Sequence, residues 1–137
     1  MSEEKALELF ARCYNRCDFA GFARRLSKRA VYEAFNRLYV HDGRDSVLRA
    51  LNEKAAELRA MDRPNKAWRG YLRYKSDMLD LPRCDNCVVL TANDPGRVLG
   101  VVRIRCTIFG VRAIRVLDPA KCDFTRGEYC GSKPQNP

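Results

Sequence analysis

The feature that most constrains the fold is a change of hydrophobic period part-way along the chain, from helical spacing up to about residue 60 to strict alternation from Trp68 onward. Behind Ser2, Glu3 and Glu4, the residues Ala6, Leu7, Phe10, Cys13, Tyr14 and Cys17 recur at three- and four-residue steps, which predicts a helix over about 3–16. Asp18 can cap a second, shorter helix whose apolar face is Phe19, Phe22, Ala23 and Leu26. Ala30–Phe35, rich in β-formers, reads as a short strand. After the His41-Asp42-Gly43 turn, Asp42 or Asp45 can start a third helix over about 45–60, marked by Val47, Leu48, Leu51, Ala55 and Leu58. Strands follow at about 68–79, 86–93, 98–108 and 111–118, the last two turning at Phe109-Gly110. Helices segregated ahead of consecutive antiparallel strands specify an α+β architecture in which helices cover one face of a curved sheet.

A chain of 137 residues supports one core, and no repeat or linker divides it, so a single domain is expected over 1–130, with Gly131–Pro137 as a disordered tail. The content of 8 Gly and 6 Pro, with apolar residues spread throughout, excludes collagen-like and disordered classes. The longest apolar runs, Cys87–Ala92 and Val98–Val102, fall short of the roughly 18 residues of a membrane span. The opening MSEEKALELF has no basic region followed by an apolar one, so cytoplasmic residence is expected. A net charge of +9 raises the question of an anionic partner. The charge is dispersed in pairs such as Arg24–Arg25, Lys28–Arg29 and Arg103 with Arg105, and no nucleic-acid-binding motif accompanies it, so a nucleic-acid partner is not expected.

Seven cysteines, an odd number, favour reduced thiols. Cys84-Asp85-Asn86-Cys87 is a C-x-x-C, and with Cys122 and Cys130 it supplies enough thiolates to surround one zinc ion. The gap between Cys122 and Cys130 breaks the zinc-knuckle spacing, and cysteine also serves as a small core residue, so neither metal nor other cofactor is expected. Cys87 runs straight into Val88-Val89-Leu90 rather than opening a helix, which argues against a thioredoxin-like redox motif.

Pairing residue 107 with 112 and 105 with 114 across the last hairpin puts Ile104, Cys106, Ile108, Val111, Ala113 and Arg115 on the core face. Arg115 then aims a guanidinium at an apolar interior, where it requires a carboxylate, a carbonyl or an anionic ligand; a one-residue slip of register reverses this assignment. In the strand at 68–79, Trp68, Gly70, Leu72, Tyr74, Ser76 and Met78 face the core. Tyr32, Trp68 and Tyr74 thereby bring polar tips into the interior. His41, the one histidine, is the first candidate for a general base, with Asp118 as the second.

Four segments, LELFARCYNRCDFAGF from Leu7, LSKRAVYE from Leu26, HDGRDSVLRAL from His41 and GVRAIRVLDP from Gly110, resemble the nuclear transport factor 2-like superfamily, which includes ketosteroid isomerases and SnoaL-like cyclases. The resemblance spans about residues 3–120 and is closest to uncharacterised bacterial members. It implies a cone of about four to six strands wrapped around three N-terminal helices. A pocket opening at one end lies between sheet and helices, and pairs of subunits commonly associate through the outer sheet face. It also sets Ala34 where ketosteroid isomerases carry a carboxylate base, with Glu33 pointing the other way, and Phe10 where their first-helix tyrosine stands, with Tyr14 one turn further on.

The leading expectation is a small-molecule-binding domain with Tyr14, Tyr32, Trp68, Tyr74 and Arg115 lining the pocket and Arg115 engaging an anionic group. One alternative is a dimeric protein-interaction module using the basic face of Arg103, Arg105 and Arg112. The other is a SnoaL- or ketosteroid-isomerase-like enzyme without the usual carboxylate base, with His41 or Asp118 as its titrating group.

Overall fold

The structure, a computed structural model, describes residues 1–75, 82–92 and 97–129. Helix α1 spans Glu3–Arg16, begins with the Lys5 amide donating to Ser2 Oγ, carries Glu3 and Glu4 in its first turn, and ends at Cys17 in the left-handed region. Its buried side is Ala6, Leu7, Phe10, Ala11, Cys13 and Tyr14. Helix α2 is a single turn, Ala20–Ala23. Asp18 Oδ1 accepts the Ala20 amide just ahead of it. Helix α3, Arg44–Ala60, starts after Gly43 at φ 96° with no side-chain cap, so neither Asp42 nor Asp45 performs that task.

Seven strands form one sheet: β1 Leu26–Ala34, β2 His41–Asp42, β3 Lys66–Lys75, β4 Pro82–Thr91, β5 Val98–Thr107, β6 Gly110–Leu117 and β7 Asp123–Tyr129, in the order β2-β1-β6-β5-β4-β3-β7. Two of them, β2 and β7, are edge strands beyond those the periodicity indicated. All neighbours are antiparallel except β1 and β6, which run parallel because the intervening strands return the chain to β1 from the far side.

The helices cover one face of this sheet. Phe10, Phe19 and Phe22 form an aromatic knot, with Phe10 5.3 Å from Phe19 and 5.8 Å from Phe22 between ring centroids, in a core shared with Leu26, Leu51, Leu58, Val88, Val102, Ile104, Val111 and Ile114. Asn15 ties α1 to the start of β3 by accepting the Ala67 amide at 2.7 Å and donating to the Ala67 carbonyl at 3.0 Å. Arg59 closes α3 onto the end of α1 by donating to the Cys17 carbonyl at 2.7 Å.

A second apolar cluster, Leu72, Cys87, Val89 and Val101 with Trp68, Leu117, Cys122 and Phe124 against it, occupies the opposite face. The connection from β6 to β7 must cross from the middle of the sheet to its far edge, and the Pro119–Lys121 3-10 turn that makes this crossing packs over β5. That passage gives the outer face a core of its own. It also corrects the expected orientation of β3: Trp68, Gly70 and Leu72 face this outer cluster. Ala67 and Arg69 face the helices, where Arg69 pairs with Glu4 of α1 at 2.9 Å. Ser76, Met78 and the tail at 131–137 lie outside the described residues.

The last hairpin also departs from the expected register. Thr107 pairs with Gly110 and Cys106 with Val111, but Arg105 pairs with Ala113 and Arg103 with Arg115, so one extra residue is accommodated in β6. The bulge inverts the alternation beyond it. Ile114 and Val116 are buried, and Arg115 is on the outer face, where its Nε contacts Glu33 Oε1 at 2.7 Å.

Candidate functional site

Between the helices and one end of the sheet lies a cavity of about 480 Å³. Its floor is apolar, made by Phe10 from α1, Leu51 from α3, Ala34 and Val116 from β1 and β6, and Leu90 and Leu99 from β4 and β5. The rim is charged: Arg37, Lys54, Glu57, Arg97 and Asp118 surround the opening. Glu57 contacts Lys54 at 3.1 Å and Arg37 at 4.0 Å, so two rim cations are partly engaged by one carboxylate.

Of the residues singled out by sequence, Tyr14, Tyr32, His41 and Asp118 line this cavity. Burial pushes the Tyr14 hydroxyl up to about 12, against a lowering by a side-chain hydrogen bond with Asn65. Burial likewise raises Tyr32, opposed by the nearby Arg37 guanidinium. Both phenols are therefore neutral donors at ordinary pH. The Tyr32 and His41 rings lie 6.0 Å apart, because β1 and β2 pair these two residues directly, and His41 Nδ1 is 3.1 Å from Ser46 Oγ at the start of α3. The Tyr32 side chain is half-buried, and its hydroxyl, which opens on the cavity, has no hydrogen-bond partner among the described residues. Glu33 points away from the cavity and Ala34 into it.

Trp68 and Arg115 do not line the cavity. Trp68 belongs to the outer cluster, its indole N–H donates to Thr91 Oγ1 at 2.8 Å, and Arg126 lies 4.4 Å over its ring. Arg115 is kept outside by the β6 bulge. The side chains of Tyr74 and Cys84, and all of Cys130, lie outside the described residues. Cys87 and Cys122 share the outer cluster. The C-x-x-C runs through unbroken strand β4, where positions three apart alternate faces instead of turning back as in a zinc knuckle. No group of three metal-ligating side chains occurs among the described residues.

The charged rim contributed by α3 was not anticipated. Ala50, Glu53, Lys54 and Glu57 follow one another at helical spacing beside the apolar stripe of Val47, Leu51, Ala55 and Leu58, so a mixed stripe next to a pure one is the signal that locates a cavity wall.

No protein-family model and no curated protein sequence matches the chain. Solved structures do. An uncharacterized cystatin-fold protein from Novosphingobium aromaticivorans aligns with a TM-score of 0.55 at 13% identity, over 86% of this chain and 99% of that one. An NTF2-like protein of unknown function from Cytophaga hutchinsonii aligns with a TM-score of 0.51 at 12% identity, over 88% of this chain and 93% of that one. Identities this low speak to architecture alone. With its helices on one face of a curved, unclosed sheet and its cavity at one end, the chain has the cystatin-type fold of the nuclear transport factor 2-like proteins.

Proposed function

We propose that the cavity binds a small organic molecule, with an apolar body on the floor and an oxygen-bearing group at the two phenols. The observation that carries this reading is Tyr32: a half-buried residue that lines the cavity and whose hydroxyl has no protein partner among the described residues can donate to a ligand acceptor there. Tyr14 offers a second neutral donor nearby. The anionic group assigned to Arg115 finds no support at that residue, which is committed to Glu33 on the other face. In a catalytic version of the site, His41 and Asp118 are the titratable groups on the wall that resemble an acid–base pair in kind, and Ala34 supplies no base. The reading puts the protein in the cytoplasm, where free thiols such as Cys13, Cys87 and Cys122 stay reduced. No helix among the described residues is long and apolar enough to cross a membrane.

Native mass spectrometry of the protein as purified, beside an Ala34→Trp variant that fills the cavity, tests this reading. A small-molecule adduct on the wild type that the variant loses is expected. An adduct retained by the variant overturns it, as does a wild type with neither an adduct nor thermal stabilisation by any member of a set of aromatic and aliphatic alcohols and ketones.

A second reading, docking of an acidic protein on the outer sheet face, is favoured by Arg103, Arg105 and Arg115, which alternate onto that face, whereas Arg112, expected with the first two, is the bulged residue of β6 and donates to the Arg29 carbonyl. The same charge opposes association of two copies through this face. Sedimentation velocity at low and moderate salt decides: a monomer is expected at both, and a dimer that persists overturns the electrostatic argument.

A further inference from the structure

At the end of the sheet away from the cavity, the hairpin between β5 and β6 presents two large apolar side chains to solvent, Ile108 at 93% and Phe109 at 78% exposure. The turn that carries them is fixed. Thr107 pairs with Gly110, the Phe109 amide donates to Thr107 Oγ1 at 3.1 Å, and Gly110 sits at φ 110°, so both side chains project beyond the strands.

Cations gather behind this tip. The Arg25 carbonyl accepts the Val111 amide at 2.7 Å, which holds Arg24 and Arg25 beside the turn. Lys28 and Arg29 follow along β1, and Arg105 lies two residues ahead of Thr107 on β5. All five are exposed, and none pairs with a carboxylate among the described residues. The carboxylates that contacts bring to this end are Glu3, whose Oε2 accepts the Cys106 amide at 3.3 Å, and Asp45, next to Arg44, whose Nε donates to the Leu26 carbonyl at 3.1 Å. Both keep their negative charge, and the cations outnumber them.

We propose that this end of the sheet docks on an anionic lipid bilayer, with Ile108 and Phe109 entering the boundary between headgroups and acyl chains and the arginines and Lys28 meeting lipid phosphates. A two-residue knob is far smaller than the roughly 800 Å² per partner of a stable protein interface. On a nucleic acid it would hold the cations away from the phosphates they need to reach. A bilayer accepts an apolar protrusion of any shape and surrounds it with negative charge. The chain lies on such a surface without crossing it, and the proposal stands apart from the occupancy of the cavity.

Co-sedimentation with vesicles of phosphatidylglycerol and phosphatidylcholine in equal parts, and of phosphatidylcholine alone, tests it. Binding to the mixed vesicles is expected in about 0.15 M salt, at least about tenfold weaker in about 0.5 M salt and on phosphatidylcholine alone. Ile108→Ser combined with Phe109→Ser is expected to lose about tenfold or more, and Phe109→Trp to retain binding. Leu38→Ser, at an equally exposed apolar residue past the other end of β1, is expected to change nothing. No binding to the mixed vesicles, equal binding to phosphatidylcholine alone, or binding untouched by the double substitution overturns the proposal. A duplex oligonucleotide bound as tightly and with the same dependence on the tip overturns it in favour of nucleic acid. A wild-type dimer in sedimentation velocity that the double substitution disperses overturns it in favour of a second copy of the chain.

Discussion

Arg115 Nε meets Glu33 Oε1 at 2.7 Å across the parallel pair β1–β6, on the face of the sheet turned away from the helices. This contact and the burial of the adjacent Ile114 are two expressions of one bulge in β6.

The side chains of Arg115 and Glu33 are 60% and 40% exposed, so solvent screens the pair and its loss is cheap. Arg115→Met is expected to change unfolding free energy by less than about 1 kcal/mol, whereas Ile114→Arg puts an unpaired charge into the core and is expected to cost more than about 3 kcal/mol or to prevent folding. Urea denaturation of the two variants checks the register: the reverse order of severity would restore the regular alternation.

Tyr14 is protonated in the folded state up to about pH 12, whereas an exposed phenol titrates near 10. The unfolded chain therefore releases this proton first, and the stabilisation, fully present below pH 10, is lost as the pH rises toward 12. The stability advantage of the wild type over Tyr14→Phe is expected to shrink by about 2 kcal/mol between pH 9 and 12, measured by denaturant unfolding. A constant offset between the two proteins across that range would contradict the burial of this hydroxyl.

Cys87 is buried and its thiol is pushed up to about 12, by desolvation first and by the neighbouring Cys122 second. Native protein treated with iodoacetamide at pH 8 is expected to alkylate Cys17, which is half-buried, well before Cys87 or Cys13, and denatured protein to alkylate all three at similar rates. Peptide mapping reads the order. Early labelling of Cys87 would mean that the crossing over the outer face does not close that cluster.

At Gly70 an added Cβ would stand 2.7 Å from Val89 Cγ2 and 2.9 Å from the Thr125 carbonyl, which belongs to the backbone of β7 and cannot swing away. Gly70→Ala is expected to cost about 1–3 kcal/mol. Gly21, with nothing within 4 Å of the corresponding position, serves as the control: Gly21→Ala is expected to be neutral or stabilising by up to about 1 kcal/mol. Thermal melts of both variants give the comparison.

The helical half of the chain was legible because its signals are local. Ser2, the acidic first turn and the spacing from Ala6 to Cys17 all act within one helix, and the observed bounds Glu3–Arg16 follow from them. The strands were legible in part: β5 and β6 lie within a residue or two of expectation, whereas β1 and β4 each begin four residues earlier, and Leu26, read as part of the short helix, opens β1. Which way the strands face was not. Strand β3 is apolar on the side away from the helices because a crossing that comes fifty residues later covers it, and no period within β3 carries that information. The β6 bulge likewise depends on pairing with two partners at once. Tyr32 was readable as a polar tip in the interior, Tyr14 as a residue of the first helix's apolar face, and His41 and Asp118 only as candidate bases, and all four line one cavity; Trp68 and Arg115 were misplaced by face alone. The edge strand Asp123–Tyr129 escaped notice because its composition, DFTRGEY, is that of a solvated edge.

The parallel ladder that joins Val31 to Ala113 also sets the order in which this chain can become a protein. Strand β1 emerges early, yet its long-side neighbour is made only after the four strands between them, so until then it has just the two-residue β2 beside it. Loop closure over that span is an entropic cost that local contacts cannot defray in advance. Folding is accordingly expected on the slow, millisecond-to-second side for a domain of this size, with the unpaired edge of β1 as the segment most exposed to wrong partners while the ribosome is still at work.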